Sequence, residues 1–178
     1  MIKWLYVLLL LPIYAFTQSS DLNNKYKSIL ENSTWVVPPS TLLAYQYETG
    51  SVTSTDDQTV WIIDSYNSGY FFGNSYTYLS NGALYSQRVM LGTVTTEGNV
   101  YITFYSTGGS TGVSDLVNGI GTLQNIQGAY QFVMQMNSGS TTNGISHWSY
   151  MTSVQPGDNY YENLPGVGTS IPVFLTNF

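Results

Sequence analysis

Residues 91–109 read LGTVTTEGNVYITFYSTGG, and residues 119–136 read GIGTLQNIQGAYQFVMQM. Both stretches alternate. Val100, Ile102 and Phe104 take every second position, and Tyr101, Thr103 and Tyr105 take the positions between. Farther on, Tyr130, Phe132, Met134 and Met136 oppose Gln131 and Gln135. A period of two places successive side chains on opposite faces of a strand, so each segment has one face for packing and one for a different environment. Glu97-Gly98-Asn99 is a turn signal between two such runs.

Outward from this region the same texture continues. Short runs of Tyr, Val, Ile, Phe and Thr are separated by clusters of Gly, Asn, Asp and Ser. The pattern predicts strands over Thr34–Val37, Leu42–Glu48, Thr59–Tyr66, Tyr70–Leu79, Leu84–Val94, Val100–Ser106, Gly119–Ile126, Ala129–Asn137 and Ile145–Ser153, with a late one at Ile171–Leu175. Asn81-Gly82 is a hairpin signal. Pro38-Pro39 marks a break, because proline supplies no ladder donor. One helix is expected, within Gln18–Glu31, where Leu22, Tyr26, Ile29 and Leu30 fall near helical spacing behind Asp21 as a cap. The expected fold is all-β: a closed antiparallel barrel of about eight strands, because closure removes sheet edges.

The glycines carry a resemblance. Gly119-x-Gly121-x-Leu123 leads to Gly128-x-Tyr130-x-Phe132, after a Gly turn, an apolar strand and the Gly108-Gly109 loop. Upstream, GYFFGNSYTY at Gly69–Tyr78 and the Asn81-Gly82 hairpin match the preceding strands. Over Asp64–Met136 the chain resembles the allene oxide cyclase-like and dirigent-like barrel families. The resemblance implies an eight-stranded antiparallel barrel. Relatives include a fatty-acid epoxide cyclase and proteins that steer phenol coupling; no functional residue of theirs maps onto this chain one by one. Read locally, Gly119 and Gly121 permit tight turning or close backbone approach at a barrel rim, and Gly128 is expected to start a strand after a bulge.

The first seventeen residues read as a secretory signal peptide. Lys3 is the positive region, Trp4–Leu11 the apolar core, and Ala15-Phe16-Thr17 the small-residue site before Gln18. The apolar run ends well short of the ~20 residues of a spanning helix. Expected localisation is therefore secreted or periplasmic, with no membrane span after cleavage. The remainder divides into an N-terminal segment 18–33, a barrel 34–155 and an irregular tail 156–178. An outer-membrane barrel is the rival architecture, opposed by polar residues on both faces of most strands, such as Asn74, Ser75 and Thr77.

Composition narrows the functions. The chain has 178 residues, no Cys, four Lys and Arg against ten acids, and a net charge of −6. Disulfides and Cys-ligated metals are impossible, and phosphate backbones are repelled, so no nucleic-acid partner is expected. With one His and scattered acids, no metal and no cofactor is expected. Sixteen Tyr fit a strand-rich chain short of charge, or rings that stack on flat ligands.

Six residues are candidates for binding a small ligand: Asp64, Tyr66, Arg88, Tyr130, His147 and Trp148. Arg88 lies in QRVML, on the face of Leu84, Ser86 and Met90. Inside a barrel it needs an acid partner, and Asp64, placed with Val60, Ile62 and Tyr66, is the first choice, Glu48 the second. His147 lies beside Trp148 in ISHWSYM, without a spaced nucleophile. Three functions stay open: an exported barrel that binds a small apolar or aromatic ligand without catalysis, an isomerase or cyclase built on Asp64, Arg88 and a Tyr, and a carbohydrate-binding or adhesive surface module. Asn32-Ser33-Thr34 is a glycosylation sequon for a eukaryotic chain.

Overall fold

A computed structural model describes residues 22, 25–37, 40–79, 84–106, 117–139, 144–155 and 158. These fold as a short helix, α1, over residues 25–30, followed by nine strands. The strands are β1 (Ser33–Val36), β2 (Ser40–Gln46), β3 (Ser51–Asn67), β4 (Tyr70–Leu79), β5 (Leu84–Val94), β6 (Asn99–Tyr105), β7 (Val117–Ile126), β8 (Ala129–Gly139) and β9 (Gly144–Val154). Every pairing is antiparallel. β2 to β9 close on themselves through β3–β4, giving an eight-stranded barrel.

The ninth strand does not widen the ring. β1 pairs with residues 60–63 of β3 and 152–154 of β9, while β2 pairs with residues 51–57 of β3 and 145–147 of β9. The two short strands therefore share one position in the barrel, end to end. The sequence between them holds Pro38-Pro39, and a proline cannot donate to a ladder flanked on both sides.

The barrel is strongly staggered. One ladder row leaves β3 at Thr53, passes through Ala44, His147, Met136, Gly119, Ile102, Gly92 and Phe71, and returns to β3 at Tyr66. That return lies about a dozen residues along the strand, the stagger of tilted strands enclosing a side-chain-filled or small-ligand interior.

One end of the interior is solid. Phe132 sits among Trp35, Trp61 and Phe71, with ring centroids 4.5, 5.4 and 6.0 Å away, and Trp61 meets Phe104 at 5.4 Å. Met90, Met134 and Met151 are fully buried between them. Glycines make the fit: a Cβ at Gly92 would overlap the Phe71 ring, and one at Gly121 would meet Met134 and the Val133 carbonyl. Gly119 and Gly121 therefore lie mid-strand under the methionines, not at a rim.

α1 closes this end. Tyr26 and Leu30 are buried, and Leu22 and Ile29 pack on the same core. The Lys25 ammonium donates to the Thr96 carbonyl at 2.6 Å, and the Tyr66 hydroxyl donates to the Leu22 carbonyl at 3.0 Å. At the helix C-terminus the Ser33 hydroxyl donates to the Leu30 carbonyl (2.6 Å) and accepts from the Trp35 indole (2.8 Å), which satisfies two buried polar groups with one side chain. Asn32 turns the chain with φ 54°, a left-handed conformation that Asn tolerates.

Two hairpins use two-residue turns with positive φ at both positions, Ser68-Gly69 and Gln127-Gly128. Gly128 thus completes a type I′ turn instead of following a bulge. The Asn81-Gly82 turn, the Ile171–Leu175 strand, the Asp21 cap and the signal segment lie outside the described residues.

Candidate functional site

At the end opposite α1, the inward face changes from apolar to polar. Ser75 pairs with Arg88, and Thr77 pairs with Ser86. Register places these four on the same face as Gly73, Met90 and Gly92, which is the interior. Thr59 joins them from β3, its hydroxyl 3.0 Å from that of Thr77. Across the barrel, β9 contributes His147 and Ser149, paired with Met136 and Met134 of the core. Arg88, Ser86, His147 and Ser138 point inward yet remain half-exposed. Water therefore reaches the interior from this end, which forms a polar mouth over an aromatic floor.

Arg88 is the centre of the mouth. Its Nη1 donates to the Ser86 hydroxyl at 3.3 Å. Its Nε is buried and donates to nothing. Among the described residues the one ion pair is Lys27–Glu31, so Arg88 has no carboxylate there. An uncompensated buried donor costs about 1–3 kcal/mol.

His147 stands on the strand opposite. Its Nδ1 lies 3.3 Å from the Trp148 carbonyl. Burial holds its pKa below the ordinary 6.5, partly offset by that carbonyl, so the neutral imidazole is favoured. Among the described residues no carboxylate bonds to it, so none of them is the orienting partner of a triad.

The other candidates lie elsewhere. The expected interior pair of Asp64 with Arg88 does not form. Val60, Ile62 and Asp64 lie on the face opposite Trp61 and Ile63 and so point outward, and a register shift between Ile63 and Ser65 breaks the alternation and turns Tyr66 inward. Asp64 accepts from the outward-facing Asn74 amide at 3.4 Å. Partial burial raises its pKa, and the Asn74 bond offsets part of the rise. Glu48 is exposed in the turn after β2. Tyr66 and Tyr130 face inward, at the closed end beside α1 rather than at the mouth. Trp148 is on the outer wall, 53% exposed.

That outer wall carries a second feature. Leu43 and Tyr45 of β2, Val52 of β3, and Trp148 and Tyr150 of β9 are all exposed, and Tyr45 meets Tyr47 edge-on at 5.4 Å. No group of His, Asp and Glu among the described residues is arranged to hold a metal ion. No described helix is long and apolar enough to cross a membrane. Neither a protein-family model nor a curated protein matches the chain.

Proposed function

We propose that the chain is an exported β-barrel that binds a small apolar or aromatic ligand in the polar mouth of its barrel, without catalysing a reaction on it. The observation that carries this reading is Arg88. An arginine that points into a barrel, with a buried Nε lacking an acceptor, has the form of a recognition group awaiting a partner, because native proteins satisfy nearly all their buried donors. The half-exposure of Arg88, Ser86 and His147 supplies an entry route. The reading of a cyclase loses its proposed cluster, since Asp64 is on the outer face and Tyr66 is held at the far end by Leu22. Binding is favoured over catalysis because His147 has no orienting acid among the described residues. The resemblance to allene oxide cyclase-like and dirigent-like barrels supports a small-ligand role through fold alone. Export rests on the sequence of residues 1–17.

A second reading has one observation of its own. The exposed rings Tyr45, Tyr47, Trp148 and Tyr150 form a surface suited to stacking on sugars, as in a carbohydrate-binding or adhesive module.

Native mass spectrometry of protein purified from its own host separates the two. The expected result is a reproducible extra mass of one small molecule, lost in Arg88→Met and kept in Trp148→Ala. Loss in Trp148→Ala with retention in Arg88→Met would move the site to the outer wall.

A further inference from the structure

The interior beneath the mouth sets a limit on what the mouth can take. Trp61, Met90 and Phe104 are buried, and Phe132 fills the space behind Trp61. A long chain threading down the barrel axis would have to displace this packed aromatic floor. Only the outermost layer, above Met90 on β5 and above Met136 on β8, is reached by water.

The chemistry of that layer is asymmetric. On one side stand Arg88 and the hydroxyls of Ser75, Thr77 and Ser86. On the facing side Ala44, Met136 and the neutral-favouring His147 are paired in one row, with Ser138 of β8 and Ser149 of β9 beside them and no charged group among these five. A guanidinium offers five donors in a planar fork that matches the two oxygens of a carboxylate. Here it gives one long bond to a serine and keeps a buried Nε–H unmet. In a chain of net charge −6, nothing on the described residues neutralises it.

We propose, resting on the small-ligand reading above, that the ligand is a compact aromatic carboxylate: its carboxylate on Arg88, its single ring against Ala44, Met136 and His147. The shallow mouth selects for size, and the lone cation selects for charge. The surrounding hydroxyls complete the hydrogen bonds of the carboxylate oxygens.

Isothermal titration of the full-length protein with four probes tests this: phenylacetate, its neutral isostere phenylacetamide, inorganic phosphate and hexadecanoate. Phenylacetate should bind, phenylacetamide at least about tenfold more weakly, since a hydrogen bond to a charged group contributes at least that much. Arg88→Met should bind the acid no better than the amide, and Arg88→Lys should fall between, keeping charge but losing the fork. Equal binding of acid and amide by the unaltered protein would overturn the carboxylate and leave the small-ligand reading standing. Phosphate binding as tightly as phenylacetate would overturn the aromatic part. Tighter binding of hexadecanoate would overturn the size limit. Binding of none of the four, together with ligand-free protein from the host, would overturn the small-ligand reading itself. The comparison of acid with amide needs no variant, so it stands whether or not Arg88→Met folds.

Discussion

Arg88 bears directly on stability. Its buried Nε has no acceptor, so removing the guanidinium removes a cost along with its one long bond to Ser86. Replacing a buried unpaired polar group by an apolar one of similar shape is near neutral or stabilising. Arg88→Met is therefore expected to unfold in urea at the same free energy or up to about 1 kcal/mol higher. A loss beyond about 1 kcal/mol would mean that the arginine has a structural partner. His147 gives the pH dependence of the mouth. Its folded pKa lies below the unfolded 6.5, so the unfolded chain binds the proton more readily. The stability it contributes is present above 6.5 and is lost as pH falls through the folded value. His147→Gln should flatten the fall in thermal midpoint below pH 6.5 relative to the unaltered protein; identical profiles would contradict this. Asp64 has the opposite sign, its raised pKa removing stability as pH rises through it from above 3.8, and the comparison with His147→Gln cancels that contribution. The inward aim of Arg88 is legible from its alternation with Ser86 and Met90. The outward aim of Asp64 is not: it shares the face of Val60 and Ile62, opposite Trp61 and Ile63, and both faces of this run are apolar; the bulge at Ile63/Ser65 then turns Tyr66 inward, and no residue type in VWIIDSY announces that shift.

At the scale of elements, period and turn chemistry locate strands well where both are strong. β4 and β5 have the predicted bounds, and β6 to β9 differ from theirs by a residue or two at an end. β3 begins at Ser51, eight residues before the predicted Thr59. Its first half, STDDQ included, reads as a loop because Asp and Ser are poor strand formers; its ladder with β2 decides otherwise. In β4 the period is right but the choice of face is not given by hydropathy: Tyr70 and Phe72 are exposed, while Phe71, Gly73 and Ser75 are inside. The glycines explain that choice, because only Gly92 lets the Phe71 ring occupy the interior. Two substitutions separate the two uses of glycine. Gly92→Ala drives a methyl into the Phe71 ring and should cost about 1–3 kcal/mol through overpacking. Gly128→Ala meets nothing within 4 Å, yet must adopt φ 91°, and should cost about 1 kcal/mol through backbone strain alone. Equal and negligible losses by chemical denaturation would contradict both assignments.

Across the whole molecule, the described residues give the barrel an apolar end closed by a helix and a polar end. α1 and the Phe132 cluster close the first, and hydroxyls, Arg88 and His147 line the second. A closed antiparallel barrel with one short helix was readable from alternation, turns and the absence of helical periodicity after Glu31. The polarity of the two ends was not, since it depends on the stagger that brings Thr59, Thr77, Arg88 and His147 to one end, and stagger is a property of eight ladders together. Binding of a small ligand at the polar end is read out by nitrogen-15 NMR of the labelled protein titrated with phenylacetate. The expected result is that the Arg88 Nε–H resonance and the amides of Ser86, Met136 and His147 shift together and saturate, while the exposed Trp148 indole N–H and the amides of Val52 and Tyr150 stay in place. Shifts confined to the Trp148 indole N–H and the amides of Val52 and Tyr150, with the Arg88 Nε–H unmoved, would contradict binding at this end.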